Sequence, residues 1–333
     1  MRGGGDLGIE DDLGDAEAVA QGDEDEGAEV ATTMDPSEQD DGRADIRFAQ
    51  AAAVVGAPIL EQAGHGRDCS RGAPGREDCY KGPVNEVPAA AGVEGDLDRD
   101  AEMDSTELAQ ASARLEGASA PEILAWTFER FRGRRIGLSS AFGAEGCALI
   151  HLAREIDPQV PVYTIDTGYL FAESVALREA YRAMGADIRV IEPLISIRTQ
   201  TEGHGPDLFA RDPDACCELR KVEPMRRILT LVDVWITAVR RDQSETRAHT
   251  PVVGTAQRAD GSRVIKVAPM ARWSRGDTWS YILERALPYN RLLDEGYSSI
   301  GCEPCTRPGG AEGEERSGRW VGQAKTECGI HHL

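Results

Sequence analysis

The sequence predicts an α/β fold over residues 105–333, a parallel sheet with helices on both faces. Three observations predict it. Short apolar runs alternate with amphipathic stretches, the runs end in polar loops, and charge over 121–333 is nearly balanced, 29 acids against 28 bases. Strands alternating with helical stretches imply βαβ crossovers, because parallel neighbours cannot be joined by a tight turn.

Each element has its own signal. Leu108–Leu115 and Pro121–Arg132 carry apolar residues at helical spacing, and Pro121 suits a first turn, where its missing N–H is not needed. Arg134–Ser139 (RRIGLS) reads as a strand ending in small polar residues. Glu145–Ile156 reads as a helix with Cys147, Leu149, Ile150 and Leu152 at its apolar positions. Val160–Ile165 is a buried strand, Phe171–Met184 a helix and Ile188–Glu192 a third strand. Glu218–Thr230 is helical, Val232–Val239 (VDVWITAV) is the fourth strand, Val264–Val267 a further strand and Asp277–Ala286 a helix. In such sheets ligands bind beyond the carboxyl ends of the strands. That rule selects the loops Ser139–Glu145, Asp166–Leu170 and Arg240–Arg247.

Residues 1–104 have a different texture. The first 120 residues hold 29 acids and 9 bases, a net −20 of the chain's −21. Such a stretch cannot bury enough apolar surface to offset its ordering entropy. A disordered acidic extension is expected, with a transient helix at Ile46–Gln62 and with Cys69 and Cys79 as solvated thiols. The basic footprint of a nucleic-acid binder is absent. No run of 18 apolar residues suggests a membrane helix, and no secretory signal is read, so a cytoplasmic protein is expected.

The loops carry the chemistry. SSAFGAE (139–145) offers backbone N–H groups at a helix start, two hydroxyls and a glycine, which suits a phosphate or sulfate oxyanion. The bland alternative is an ordinary Ser/Gly-rich turn. It is neither a Walker A loop nor a dinucleotide fingerprint. Asp166, Thr167 and Gly168 form either a polar binding turn or a helix cap. Arg240, Arg241 and Arg247 stand just past a buried strand, to fork onto oxyanions or to make surface salt bridges.

Cys216-Cys217 and the downstream Cys302-Glu303-Pro304-Cys305 supply four thiols. They suit a 4Fe–4S cluster or a structural zinc, with a redox disulfide as a third option. Adjacent cysteines are unusual at zinc, which favours iron–sulfur. Arg220 and Lys221 are placed to offset the cluster's negative charge. Cys328 is either an idle tail thiol or a thiolate favoured by Arg316, Arg319, Lys325 and two histidines nearby.

Taken in order, SSAFGAE (139–145), IDTGYLF (165–171), CCELRKVEP (216–224), RRDQSETR (240–247), PYNRLLDEGYSSIGCEPCTRP (288–308), RSGRW (316–320) and KTECGIHH (325–332) resemble the assimilatory adenylyl-sulfate (APS) reductase family. That family lies within the phosphoadenylyl-sulfate (PAPS) reductase group, and the resemblance runs from about Leu108 to Leu333. It implies a Rossmann-like fold of the adenine-nucleotide hydrolase type, with residues 105–333 catalytic and about 309–333 a catalytic tail. It also implies reduction of APS to sulfite and AMP by reduced thioredoxin.

Residue by residue, the resemblance implies Cys328 as the nucleophile that becomes S-sulfocysteine. Cys216, Cys217, Cys302 and Cys305 would hold a 4Fe–4S cluster, which Lys221 links to the substrate. Ser139, Ser140 and Gly143 would form the phosphate loop, with Asp166, Thr167 and Gly168 beside it. Arg240, Arg241, Arg316, Arg319 and His331 would clamp sulfate and phosphate or close the terminal segment. Gly146 and Ala268 depart from the family's usual residues. PAPS-only relatives generally lack the two cysteine pairs, so APS is favoured over PAPS or dual use. A tRNA-modifying ATP pyrophosphatase would need a Ser-Gly-Gly-x-Asp-Ser loop, and a zinc-stabilised interaction module is the alternative outside enzymes. A homo-oligomer is compatible with the sequence.

Overall fold

The computed structural model describes residues 103–309, 315–330 and 333. The acidic extension up to residue 102, with Cys69, Cys79 and the helix expected at Ile46–Gln62, lies outside the described residues, as does His331.

Two helices lead in, α1 (Ser105–Leu115) and α2 (Ala120–Arg130). Asp104 accepts from the Thr106 and Glu107 N–H groups at 2.7 and 2.8 Å, while the Glu107 carboxylate accepts from the Asp104 N–H. Ser119 and Glu122 repeat this capping box for α2, with Pro121 in the first turn. Each such cap contributes about 1 kcal/mol. The sheet follows as β1 (Ile136–Ser139), α3 (Ala144–Arg154), β2 (Val162–Ile165), α4 (Ala172–Ala183) and β3 (Ile188–Ile191). A helical excursion, α5 (Ile197–His204), α6 (Leu208–Arg211) and α7 (Pro213–Cys217), passes through a π turn at Glu218–Val222 into α8 (Glu223–Leu231). Then come β4 (Val234–Thr237), β5 (Val253–Gln257), β6 (Arg263–Val267) and α9 (Arg275–Glu284).

The strands lie in the order β3-β2-β1-β4-β6-β5. Register aligns Leu138 with Val162 and Ile236, and Val162 with Ile188. These four side chains share one face and one core with α3, Tyr181 of α4 and Ile282 of α9. The intervening residues Tyr163 and Trp235 turn to the other face, against Met225, Ile228 and Leu229 of α8. Alternation along four-residue strands thus buries both faces at once.

The α/β fold with both faces covered agrees with the sequence reading, with two differences. β5 runs antiparallel to β6, so the sheet is not wholly parallel. The helix expected over Glu218–Thr230 contains a π turn, in which the Glu223 N–H bonds the Glu218 carbonyl, five residues back. Because the chain leaves β1 toward β2 on one side and reaches β4 on the other, a crevice opens between β1 and β4 at their carboxyl ends.

Candidate active site

That crevice is a cavity of about 240 Å³ lined by the loop after β1, by Tyr163, Ile165 and Thr167, and by Thr237–Val239. The loop is shaped by three local features. Ser139 Oγ accepts the Trp235 indole Nε1–H at 2.8 Å. An indole nitrogen only donates, so the Ser139 hydroxyl proton is left for the cavity. Ser140 Oγ accepts the Phe142 N–H at 3.0 Å. Phe142 itself adopts φ +56°, a left-handed conformation costly for a bulky residue, and is held there by burial against Tyr181. A Cβ on Gly146 would lie 2.3 Å from Ser140 Oγ, so a glycine lets α3 start this close to the loop. Gly143 caps α3 without a side-chain hydrogen bond, leaving the first N–H groups of that helix to meet an anion.

A second, smaller pocket adjoins the first through Lys221 and Cys302, and Cys216, Cys217, Cys305, Arg220 and Trp320 also line it. α7 opens on an Asp212 cap and delivers Cys216 and Cys217 in its last turn. Cys302 and Cys305 bracket a tight turn tied to the loop after β2: the Glu303 N–H bonds the Tyr169 carbonyl at 2.7 Å, and Leu170 bridges Cys302. Thr167 Oγ1 lies 3.3 Å from Cys302 Sγ, and Gln200 Nε2 4.0 Å from Cys216 Sγ.

Burial pushes the Cys216 thiol up to about 11 and the Cys217 thiol to about 12, so they become thiolates only beside a cation. Buried Arg220 donates Nε to Gln200 and Nη1 to the Ile195 carbonyl, but its Nη2 and the Trp320 Nε1 have no partner among the described residues. Two buried donors without acceptors beside four thiols match an anionic, sulfur-rich group. Among the described residues, no group of three or more His, Cys, Asp or Glu side chains is set for a single metal ion. Burial opposes charge on Lys221, yet Cys302 and Cys328 outweigh it and raise its ammonium above the usual lysine range.

The C-terminal segment returns over both pockets. Thr306 bridges Arg319, and the Trp320 N–H bonds the Cys305 carbonyl at 3.0 Å. Arg319 passes where a side chain at residue 301 would be, since a Cβ on Gly301 would lie 2.0 Å from its Nη2. Lys325 pairs with Asp214 at the start of α7. Cys328 thereby lines the larger cavity together with Lys221, Arg247, Arg316 and Arg319.

A family profile described as the phosphoadenosine phosphosulfate reductase domain matches residues 135–308, just over half the chain. The chain belongs to the phosphoadenosine phosphosulfate (PAPS) reductase family. Among relatives, the adenosine 5′-phosphosulfate reductase of Rhodococcus opacus is 42% identical over 245 residues, covering 71% of this chain and 98% of the relative. The enzyme of that name from Streptomyces coelicolor is 43% identical over 224 residues, 67% of this chain and 92% of its own. A crystal structure of PAPS reductase from Candida auris, a phosphate complex, aligns with a TM-score of 0.54 at 27% identity, covering 62% of this chain and 98% of that one.

For this PAPS reductase family member, the structure brings many of the expected site residues together. Ser139, Ser140, Gly143, Thr167, Lys221, Arg316, Arg319 and Cys328 line the large cavity, and the four paired cysteines line the small pocket. Others are used elsewhere. Asp166 accepts from the Gly168 N–H at 3.0 Å and from Arg178 at 2.9 Å, so these residues shape the turn that presents Thr167. Arg240 is fully buried among Glu145, Glu315 and Asp242, and Arg241 bonds Glu116 on the loop after α1. Neither guanidinium lines the cavity, contrary to the expected clamp. Of the three arginines read from sequence as possible forks onto oxyanions, Arg247 alone lines it, joined by Arg275, which the sequence did not single out.

Proposed function

We propose that this PAPS reductase family member reduces adenylyl sulfate to sulfite and AMP with electrons from reduced thioredoxin, in cytoplasmic sulfate assimilation. The observation that carries the proposal is Cys328 sharing one cavity with the oxyanion loop and with Lys221, Arg247, Arg316 and Arg319. Residues 105–333 form the catalytic domain in this reading, and about 309–333 its catalytic tail. The name carried by the relatives at 42% and 43% identity supports adenylyl sulfate. The two thiol pairs favour it over a 3′-phosphorylated substrate.

The loop N–H groups and the Ser139 hydroxyl take the phosphate, while Tyr163, Met225 and Ile228 give the nucleoside an apolar wall. Phosphosulfate and thiolate are both anions, so the cations must neutralise charge before attack. The Cys328 thiolate attacks the sulfur, the bond from sulfur to the bridging oxygen breaks, and AMP leaves with that oxygen and the electron pair. A thiolate of reduced thioredoxin then attacks Cys328 Sγ. Sulfite departs with the electron pair of the S–S bond, leaving a mixed disulfide. The second thioredoxin thiol resolves it, which restores Cys328 and oxidises the donor by two electrons, with its two protons released.

The residues of the small pocket fit a 4Fe–4S cluster, with Cys216, Cys217, Cys302 and Cys305 as its thiolates and Arg220 Nη2 and Trp320 Nε1 as donors to it. When bound, such a cluster supplies a compact negative charge for Lys221 to meet and carries no electrons in the reaction.

Sulfite release from adenylyl sulfate and from its 3′-phosphorylated analogue, with thioredoxin as donor, tests the proposal. Adenylyl sulfate should be the better substrate, and Cys328→Ser should abolish release while leaving nucleotide binding and iron content unchanged. A Cys328→Ser protein that still turns over would refute the assigned nucleophile. Analysis giving about four irons and four sulfides per chain supports the cluster, whereas one zinc and no sulfide would support an interaction module.

A further inference from the structure

We propose that Glu327 is the resident counter-anion of the sulfate subsite, holding Arg247 and Arg316 while the subsite is empty and yielding them to the sulfate of the substrate. This rests on the reading that Cys328 attacks a phosphosulfate, and it concerns the residue immediately before that thiol.

The geometry is specific. Glu327 is buried, and its Oε1 accepts from Arg247 Nε at 2.9 Å while Oε2 accepts from Arg247 Nη2 at 3.0 Å, a two-pronged fork. Arg316 Nη2 adds a third charged donor to Oε2 at 3.1 Å. The Ser244 and Thr246 hydroxyls complete the ring at 3.3 and 3.4 Å. The remaining Arg247 nitrogen, Nη1, is given to Gln243 Oε1 at 2.6 Å. The forked edge of Arg247 is therefore spent, and an incoming anion can gain it only by displacing the carboxylate.

Electrostatics requires some anion there. Arg247 and Arg316 both line the cavity and repel each other, and burial followed by Arg247 brings Arg316 down to about 10. Two guanidiniums in a partly desolvated site are costly without a counter-charge. A carboxylate and a sulfate present similar paired oxygens to a guanidinium fork, so one can stand in for the other. Because Glu327 is bonded through the backbone to Cys328, giving up the fork also releases the thiol from its tether. Sulfate binding and Cys328 mobility are then linked, each favouring the other to the same degree.

The test uses the full-length protein purified with its metal content measured, and compares wild type with Glu327→Gln, which keeps size and loses charge. Inorganic sulfate is the probe for affinity, and iodoacetamide alkylation of the Cys328 peptide, followed by mass spectrometry, reads thiol release. Glu327→Gln should bind sulfate about tenfold more tightly. Its Cys328 should be alkylated rapidly without sulfate, whereas the wild-type thiol needs sulfate to reach that rate. Turnover should show a lower KM together with a lower kcat. Glu327→Asp, which keeps the charge, should stay near wild type in sulfate affinity. Unchanged or weaker sulfate binding in a folded Glu327→Gln protein overturns the proposal, since a carboxylate that merely braces the arginines would give that result. Failure of the wild type to release sulfite from adenylyl sulfate would instead sink the activity reading, while the sulfate-dependent alkylation would still judge Glu327.

Discussion

Trp235 is fully buried, and the hydrogen bond from its indole to Ser139 reaches from the core to the rim of the cavity. Lys266 Nζ stands over the same ring, 4.7 Å from its centre. Trp235→Phe keeps an aromatic ring in place and removes the N–H. It should lower kcat/KM about tenfold, the worth of roughly one hydrogen bond to a reacting site, and lower the melting temperature by a few degrees, because the smaller ring leaves a void in a fully buried position. Ser139→Ala should cost a similar amount, and the double variant should cost no more than either alone. Additive losses would show that the two residues act separately.

At this scale the sequence was readable where residue type dictates chemistry. Paired cysteines have few other uses, whereas the hydroxylated loop and the terminal thiol also fit an ordinary turn and an idle tail, and it is their shared cavity that joins them. The sequence was unreadable for the arginines after β4. Arg240, Arg241 and Arg247 look alike in a string of letters, and their directions are decided by Glu116, Glu145, Glu315 and Glu327, distant in sequence.

Among the elements, the π turn between α7 and α8 has the clearest mechanical role. One extra residue in a helical turn shifts the side chains that follow by about 100° relative to those before, since an α-helix holds 3.6 residues per turn. Here it lets Cys216 and Cys217 line the small pocket while Lys221 lines both pockets and Met225 and Ile228 still face the sheet. Deleting Leu219 should restore an ordinary helix and misdirect one set. The expected result is a protein with much reduced iron content, measured per folded chain; full iron content would show that the turn is dispensable. Sequence periodicity could not reveal this turn, because the spacing on either side is helical. Three other elements, β5, α5 and α6, were missed for related reasons. In β5, Gly254 interrupts the apolar run, and a Cβ there would lie 2.9 Å from Pro251. α5 and α6 bury only Gln200 and Leu208, too little to mark a helix by pattern.

Over the whole molecule, the strand order sets the site. Placing β1 between β2 and β4 makes the loop after β1 the floor of the crevice, and the helical excursion between β3 and β4 carries the first thiol pair to its rim. The recognised motifs lie within residues 139–332, and the capping box at Asp104 opens the first described helix. Deleting residues 1–102 keeps that cap and should leave kcat/KM within about twofold of the full chain, because a cap and a core of this kind are self-sufficient. A loss beyond tenfold would assign the acidic stretch to the working enzyme.

The ladder contact between Thr306 and Arg319, with Trp320 bonded to Cys305, fastens the last stretch of chain to the turn that carries the second thiol pair. If the proposed cluster sits in that corner, the anchorage of Cys328 borrows part of its firmness from it, beside the Glu327 fork. Oxidative damage that strips such a cluster would then loosen the proposed nucleophile as well, silencing the enzyme without a chemical scar on Cys328.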